Sequence, residues 1–315
     1  MAESAKVAFV FPGQGSQYVG MGKEFYAQFA VAREVFAEAD EALGFALSKL
    51  CFAGSESDLK LTENTQPAIL TASVASLRVF ESESSVRPQF VAGHSLGEYT
   101  ALVCAGALRF QDAVRVVRER GRLMQEAVAA DAGAMAVLLG LGTEAVRSLC
   151  EEVSQGEIVA PANYNGGGQI VIAGSRAAVV RAMSLAKERG AKRVLDLPVS
   201  APFHCELMRP AAEGLEKILK GIPIQPFSVG VVTNAEAEVN FDPDRVKPLL
   251  IDQAVQPVRW EESVQKLVRL GCARIWEIGP GKVLKGLIQR ISSGLATETF
   301  EAPQDLSKLS GGQPR

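Results

Sequence analysis

Histidine is nearly absent from this chain: its 315 residues include only His94 and His204. The five cysteines, at positions 51, 104, 150, 205 and 272, form no C-x-x-C pair. Imidazole and thiol ligands this few and scattered argue against a metal site, and an odd number of dispersed cysteines suits a reducing cytoplasm. A basic field is missing as well: 33 Lys and Arg stand against 36 Asp and Glu, a formal net charge of −3. Binding to nucleic acid or to an anionic membrane has no electrostatic basis here. No apolar stretch approaches the ~20 residues of a membrane helix. The opening MAESAKVAFV has an early acid and too short an apolar run for a signal peptide. Repeats and low-complexity segments are absent, and the final SGGQPR reads as a frayed tail. What remains, 47% hydrophobic and 22% charged residues, is the composition of a soluble globular protein. The length allows one large domain or two smaller ones.

The patterning is α/β. The apolar run 6–11 (KVAFVF) predicts a strand, and helices are expected over 18–43, 67–80 and 110–128, with a short strand at 89–92. This alternation suggests a parallel sheet with helices on both faces. The middle differs. Strands are expected at 133–141, 158–165, 169–173 and 192–199, with a Thr143-capped helix at 143–154 and another at 176–189 closed by Gly190. The order β-α-β-β-α-β is that of a ferredoxin-like unit. We therefore expect a large domain made of 1–130 and 200–315, interrupted by an inserted small domain, 131–199. After the insertion the pattern shows helices, a single strand at 274–278 and a helix at 282–291.

Three absences sharpen the chemistry. The loop FPGQGSQ at 11–17 follows the first strand as a phosphate loop would, but it lacks the G-K-[ST] ending. It also lacks a third glycine for a dinucleotide fingerprint, since Tyr18 occupies that position. The third absence is a triad acid: Asp196 and Glu206 lie near His204 in sequence, with nothing to show that either reaches it. A backbone or amide carbonyl could hold the histidine N–H instead.

What is present is Gly93-His94-Ser95-Leu96-Gly97, a G-x-S-x-G between a predicted strand and a predicted helix. That is the setting of a nucleophile elbow, and it makes Ser95 the candidate nucleophile; the bland alternative is a serine that caps a helix. A serine needs a base. His94 is its neighbour on a sharp turn, where adjacent side chains diverge, so His94 is expected to brace the elbow. His204, in SAPFHC beyond the insertion, is the base by elimination and by placement. An acyl-transfer site also needs two N–H donors for the oxyanion. The Leu96 backbone supplies one, and the Gly-rich loop offers the other at Gln14. Finally, Arg120 lies on the apolar stripe Ala113, Val117, Met124, Val128 of its helix. An inward guanidinium needs an anion, either a structural carboxylate or a carboxylate carried by the acyl group.

Taken together, FPGQGSQ, GHSLGE, RGRLMQEA, SAPFH, QPV before a Trp and GPGKVL resemble the malonyl-CoA:acyl carrier protein transacylases of bacterial type II fatty-acid synthesis. The resemblance runs from Val7 to about Ile291, in the family's order. It implies a hydrolase-like large domain carrying a ferredoxin-like small domain, with Ser95 as nucleophile, His204 as base, and the Gln14 and Leu96 backbones as oxyanion donors. It further implies that Arg120 holds the malonyl carboxylate, that the Gln253 carbonyl, in DQAVQPVRW, orients His204, and that Phe203 selects malonyl over methylmalonyl. The substrates implied are malonyl-CoA and phosphopantetheinylated acyl carrier protein, with no cofactor, in a cytoplasmic monomer. An acidic carrier calls for a basic rim, for which Lys187, Arg189, Lys192 and Arg193 are available. The competing readings are a serine esterase or thioesterase, a carrier-binding scaffold with a vestigial site, and a domain of a larger synthase. Arg120 and the missing triad acid weigh against the first, the full set of catalytic groups against the second, and the short N-terminus and lack of linkers against the third.

Overall fold

The computed structural model describes residues 6–129, 131–199 and 201–312. Its strands, in chain order, are β1 (Lys6–Phe11), β2 (Phe90–Gly93), β3 (Gly133–Leu139), β4 (Val159–Gly166), β5 (Gln169–Ser175), β6 (Arg193–Asp196), β7 (Gly230–Val232), β8 (Val239–Asn240), β9 (Cys272–Ile278) and β10 (Ala296–Phe300). They form a six-stranded sheet of order β10-β9-β1-β2-β7-β8 and a four-stranded sheet of order β4-β5-β3-β6. The larger sheet is parallel except for β8, which runs antiparallel to β7.

The β1 sequence shows why this strand is central. Ala8 and Val10 pack into one layer with Ala92, Trp260 and Ile288, and Phe9 and Phe11 into the other with Phe80, Trp276 and Phe300. A strand that is apolar on both faces belongs inside a sheet covered on both sides. Its neighbour β2, and β7 beyond β2, run parallel to it, so the loops after β1, β2 and β7 converge at one rim.

In the smaller, antiparallel sheet the side chains divide by alternation. Ala134, Ala136 and Leu138 meet the helices Thr143–Ser154 and Arg176–Glu188. Met135 and Val137 turn the other way, towards Met124, Phe203 and Met208. One rung ties this sheet to the rest of the chain: Tyr164 N–H donates to the Val258 carbonyl and Val258 N–H to the Ala162 carbonyl, each at 2.9 Å.

Several expectations need correction. The predicted helix 18–43 is two helices, Lys23–Gln28 and Ala30–Leu43, because Phe29 is extended between them. The helix expected from Pro67 begins at Thr62 and runs to Glu83. Its nearly complete burial outweighs the one hydrogen bond Pro67 cannot make. Gly142, not Thr143, is the cap of its helix, and it has no side chain to do the work. The edge strand β6 is half the predicted length. Three strands went unread: β7 and β8 are too short to show a period, and β10 (ATETF) is too polar. A 3₁₀ segment, Pro303–Gly312, takes in the start of the expected tail, whose last residues lie outside the described ones, as does the predicted domain edge at Ser200.

Candidate active site

Ser95 stands at the tip of the turn after β2 with φ 52°, a conformation side chains rarely adopt. The turn closes only because glycines flank it: a Cβ on Gly97 would lie 2.1 Å from the Phe11 carbonyl oxygen. Asn234, just past β7, clamps the strained loop. Its Oδ1 accepts from Ser95 N–H at 2.6 Å, and its Nδ2 donates to the Gly93 carbonyl at 2.6 Å.

His204 reaches the serine as predicted. Its Nε2 lies 2.7 Å from Ser95 Oγ and its Nδ1 lies 2.7 Å from the Gln253 carbonyl oxygen. A carbonyl only accepts, so Nδ1 carries the proton and Nε2 is free to take the serine's. Burial, and then the charge of Arg120, push the imidazole pKa down to about 3, which keeps it neutral. Among the described residues no carboxylate bonds to His204. Glu206 is engaged by Arg209 at 2.8 Å and Asp196 is exposed on β6, so the partner of Nδ1 is a carbonyl and not an acid.

Arg120 is 2% exposed. Its Nη1 donates to Gln66 Oε1 at 2.8 Å, and its Nη2 to Gln253 Oε1 at 2.9 Å and to Ser95 Oγ at 3.2 Å. The helix Phe110–Glu126 can bring it there because a Cβ on Gly121 would come 2.6 Å from the Thr62 carbonyl oxygen, so only glycine permits this helix contact. Among the described residues no carboxylate is within ion-pair distance of Arg120. Its polar partners are neutral, and the structural ion pair weighed from the sequence is not there.

The Gly-rich loop lies on the elbow, and Gln14 lines the same cleft as Ser95, Leu96, Arg120 and His204. Two of its backbone donors are engaged: Gly15 N–H donates to Gln17 Oε1 at 2.7 Å and Ser16 N–H to the Gly13 carbonyl at 3.3 Å. Among the described residues the N–H groups of Gln14 and Leu96 have no protein acceptor. Met124, Met135, Leu197, Val199 and Phe203 form the apolar wall opposite. His94 turns away from the serine oxygen, as expected. Its Nε2 is 2.9 Å from Asn165 Oδ1 on β4, its ring lies 5.7 Å from that of Trp260, and burial lowers its pKa.

Sequence reasoning missed Asn234, Gln66, Asn165 and Glu98. Amides in loops, helices and strands carry no distinguishing pattern. Glu98 did carry one, as an acid opening the otherwise apolar helix Gly97–Cys104. Of the four cations proposed for a rim, Arg189 is taken by Glu152, whereas Lys187, Lys192 and Arg193 are exposed and have no ion-pair partner among the described residues. Among the described residues no cluster of His, Cys, Asp and Glu could hold a metal, and no helix is long and apolar enough to cross a membrane.

The chain matches the acyl transferase domain family over residues 8–298. The malonyl CoA-acyl carrier protein transacylase of Bacillus subtilis (strain 168) is 50% identical, over 96% of this chain and 95% of the relative. A crystal structure of an acyl carrier protein S-malonyltransferase from Vibrio cholerae is 46% identical, with a TM-score of 0.95 over 97% of this chain and 100% of that one. A malonyl-transacylase solved in complex with its type II PKS acyl-carrier protein is 44% identical, with a TM-score of 0.95 over 98% of this chain and 100% of that one. The chain therefore belongs to the acyl transferase family and, within it, to the malonyl CoA-acyl carrier protein transacylases.

Proposed function

We propose that this protein moves the malonyl group of malonyl-CoA to the phosphopantetheine thiol of acyl carrier protein, through an ester on Ser95. His204 Nε2 takes the Ser95 proton as Oγ attacks the thioester carbonyl. The oxyanion settles between the N–H groups of Gln14 and Leu96. The tetrahedral centre collapses, the C–S bond breaks, and CoA leaves as a thiol with the proton from His204. The carrier thiol then repeats the sequence in reverse order, giving its proton to His204 and releasing Ser95. Arg120 pairs with the malonyl carboxylate, which an acetyl group lacks. Phe203 and the apolar wall limit what the α-carbon can carry.

The observation that carries this reading is the joint geometry of Ser95. A neutral histidine, two N–H groups without acceptors and a buried guanidinium without a carboxylate all converge on it. The division into a hydrolase-like domain, 1–130 and 200–315, and a ferredoxin-like domain, 131–199, belongs to the same reading and is supported by the two sheets and their strand orders. The carrier's acidic face would meet Lys187, Lys192 and Arg193. We place the enzyme in the cytoplasm, as a cofactor-independent monomer that supplies chain elongation in fatty-acid synthesis.

Intact-protein mass after brief mixing with malonyl-CoA tests it. A malonyl-sized adduct is expected on the parent and not on Ser95→Ala, cleared by carrier thiol. Free CoA released at once with no adduct would instead make the protein a hydrolase.

A further inference from the structure

One buried acid beneath the nucleophile has no part in the mechanism above. Glu98 is 2% exposed, at the start of the helix that follows the elbow. Its Oε2 accepts from the Asn234 backbone N–H at 2.9 Å and from Gln253 Nε2 at 2.7 Å. Gln253 Nε2 also donates to the Ser95 carbonyl at 3.0 Å. Both hydrogens of the Gln253 amide are thus committed to acceptors on the elbow side. Its oxygen is left facing the other way, where it accepts from Arg120 Nη2.

The direction of that amide matters. An amide turned over would set an NH₂ group against the guanidinium, donor against donor, and Arg120 would lose one of its two amide acceptors. A long side chain freed of one anchor regains rotamer freedom, and its head no longer waits in a single place. Gln253 fixes Arg120 by its side chain and His204 by its carbonyl, so the residue that fixes Gln253 bears on both. A carboxylate in direct contact with Arg120 would also hold it, but would occupy the charge that an acyl carboxylate needs. An intervening amide holds the guanidinium and leaves the charge unspent.

We propose that Glu98 is a positioning residue for acyl-group selection: through the Gln253 amide it presents Arg120 to the carboxylate of the incoming acyl group. This rests on the reading of Arg120 given above. Replacing Glu98 should therefore harm carboxylate-bearing acyl groups most.

The experiment measures kcat/KM for malonyl-CoA and acetyl-CoA with a carrier thiol, in the parent, Glu98→Ala, Glu98→Gln and Arg120→Ala. Glu98→Ala should lower the malonyl-to-acetyl ratio by ~10-fold or more, since it removes an acceptor that sets the amide's direction. Glu98→Gln, whose amide oxygen can accept the same two N–H groups, should restore most of that ratio. Equal losses on both substrates in Glu98→Ala, or a ratio like the parent's, would reduce Glu98 to a structural support and sink the proposal. Should Glu98→Ala fail to fold, Glu98→Asp draws the carboxylate back by one methylene: a fallen ratio supports the role, and a parental one overturns it. The arginine variant separates the two levels. A collapsed ratio in Arg120→Ala beside an intact one in Glu98→Ala defeats this inference alone. An intact ratio in Arg120→Ala defeats the reading of Arg120 and this inference with it.

Discussion

His204, the base in the reaction proposed above, has surroundings that keep it from charging. Its pKa lies at about 3, through burial first and the Arg120 guanidinium second. Between pH 5 and the ordinary histidine value of ~6.5 the imidazole therefore stays neutral and able to accept the serine proton. The pH profile of kcat/KM for CoA release should show no acid limb near ~6.5. In Arg120→Ala the limb should move upward, because a nearby cation opposes formation of the imidazolium. Burial, the larger cause, should still hold it below ~6.5. A limb near the ordinary value in the parent would mean that water enters the site freely. The residues of the proposed reaction differed in legibility for physical reasons. Ser95 was marked by the glycines its turn requires, His204 by scarcity, and Arg120 by a charge on an apolar stripe. Asn234 and Gln66 are uncharged amides, whose role depends on which strand end or helix turn lies opposite, and that is set by the fold alone.

The elbow is the element on which the site depends. Gly97 lets the helix start press against the end of β1, with no space for a methyl group before the Phe11 carbonyl. Gly97→Ala must push β1 and the helix apart, and should cost about 3 kcal/mol of stability. The strain would also move Leu96 N–H, so a drop in Tm should come with loss of the Ser95 adduct. A variant with parental Tm and adduct would mean that the contact relaxes freely. At this scale the sequence spoke where the burial pattern is simple. β1 is apolar on both faces and could be read directly. The short β7 shows no period, so Asn234 at its end had no strand to place it. The break at Phe29 and the early start at Thr62 are tertiary outcomes, in which packing overrides local preference.

Across the whole molecule, buried titratable groups pull stability in opposite directions. Burial raises Glu98 and Glu277 from 4.5 to about 7. The folded chain then keeps protons that the unfolded chain has lost, so these two groups make stability fall as pH rises from 4.5 towards 7. His94 and His204 are lowered from 6.5, so the unfolded chain charges first and stability falls as pH drops below that value. Glu98→Gln removes one of the opposing groups. The Tm of the variant relative to the parent should therefore rise as pH is raised from about 4.5 to 7, in thermal melts across that range. A constant difference would show that Glu98 ionises as easily folded as unfolded.

The carbonyl behind His204 has a consequence for timing. A dipole steadies an imidazolium less than a full negative charge would, so the histidine is a base of limited strength. Water, with a pKa near ~15.7, gives up its proton far less readily than a thiol at ~8.5. A weak base therefore ranks nucleophiles by their acidity, and the malonyl ester proposed on Ser95 would wait through many collisions with solvent before a carrier arrives.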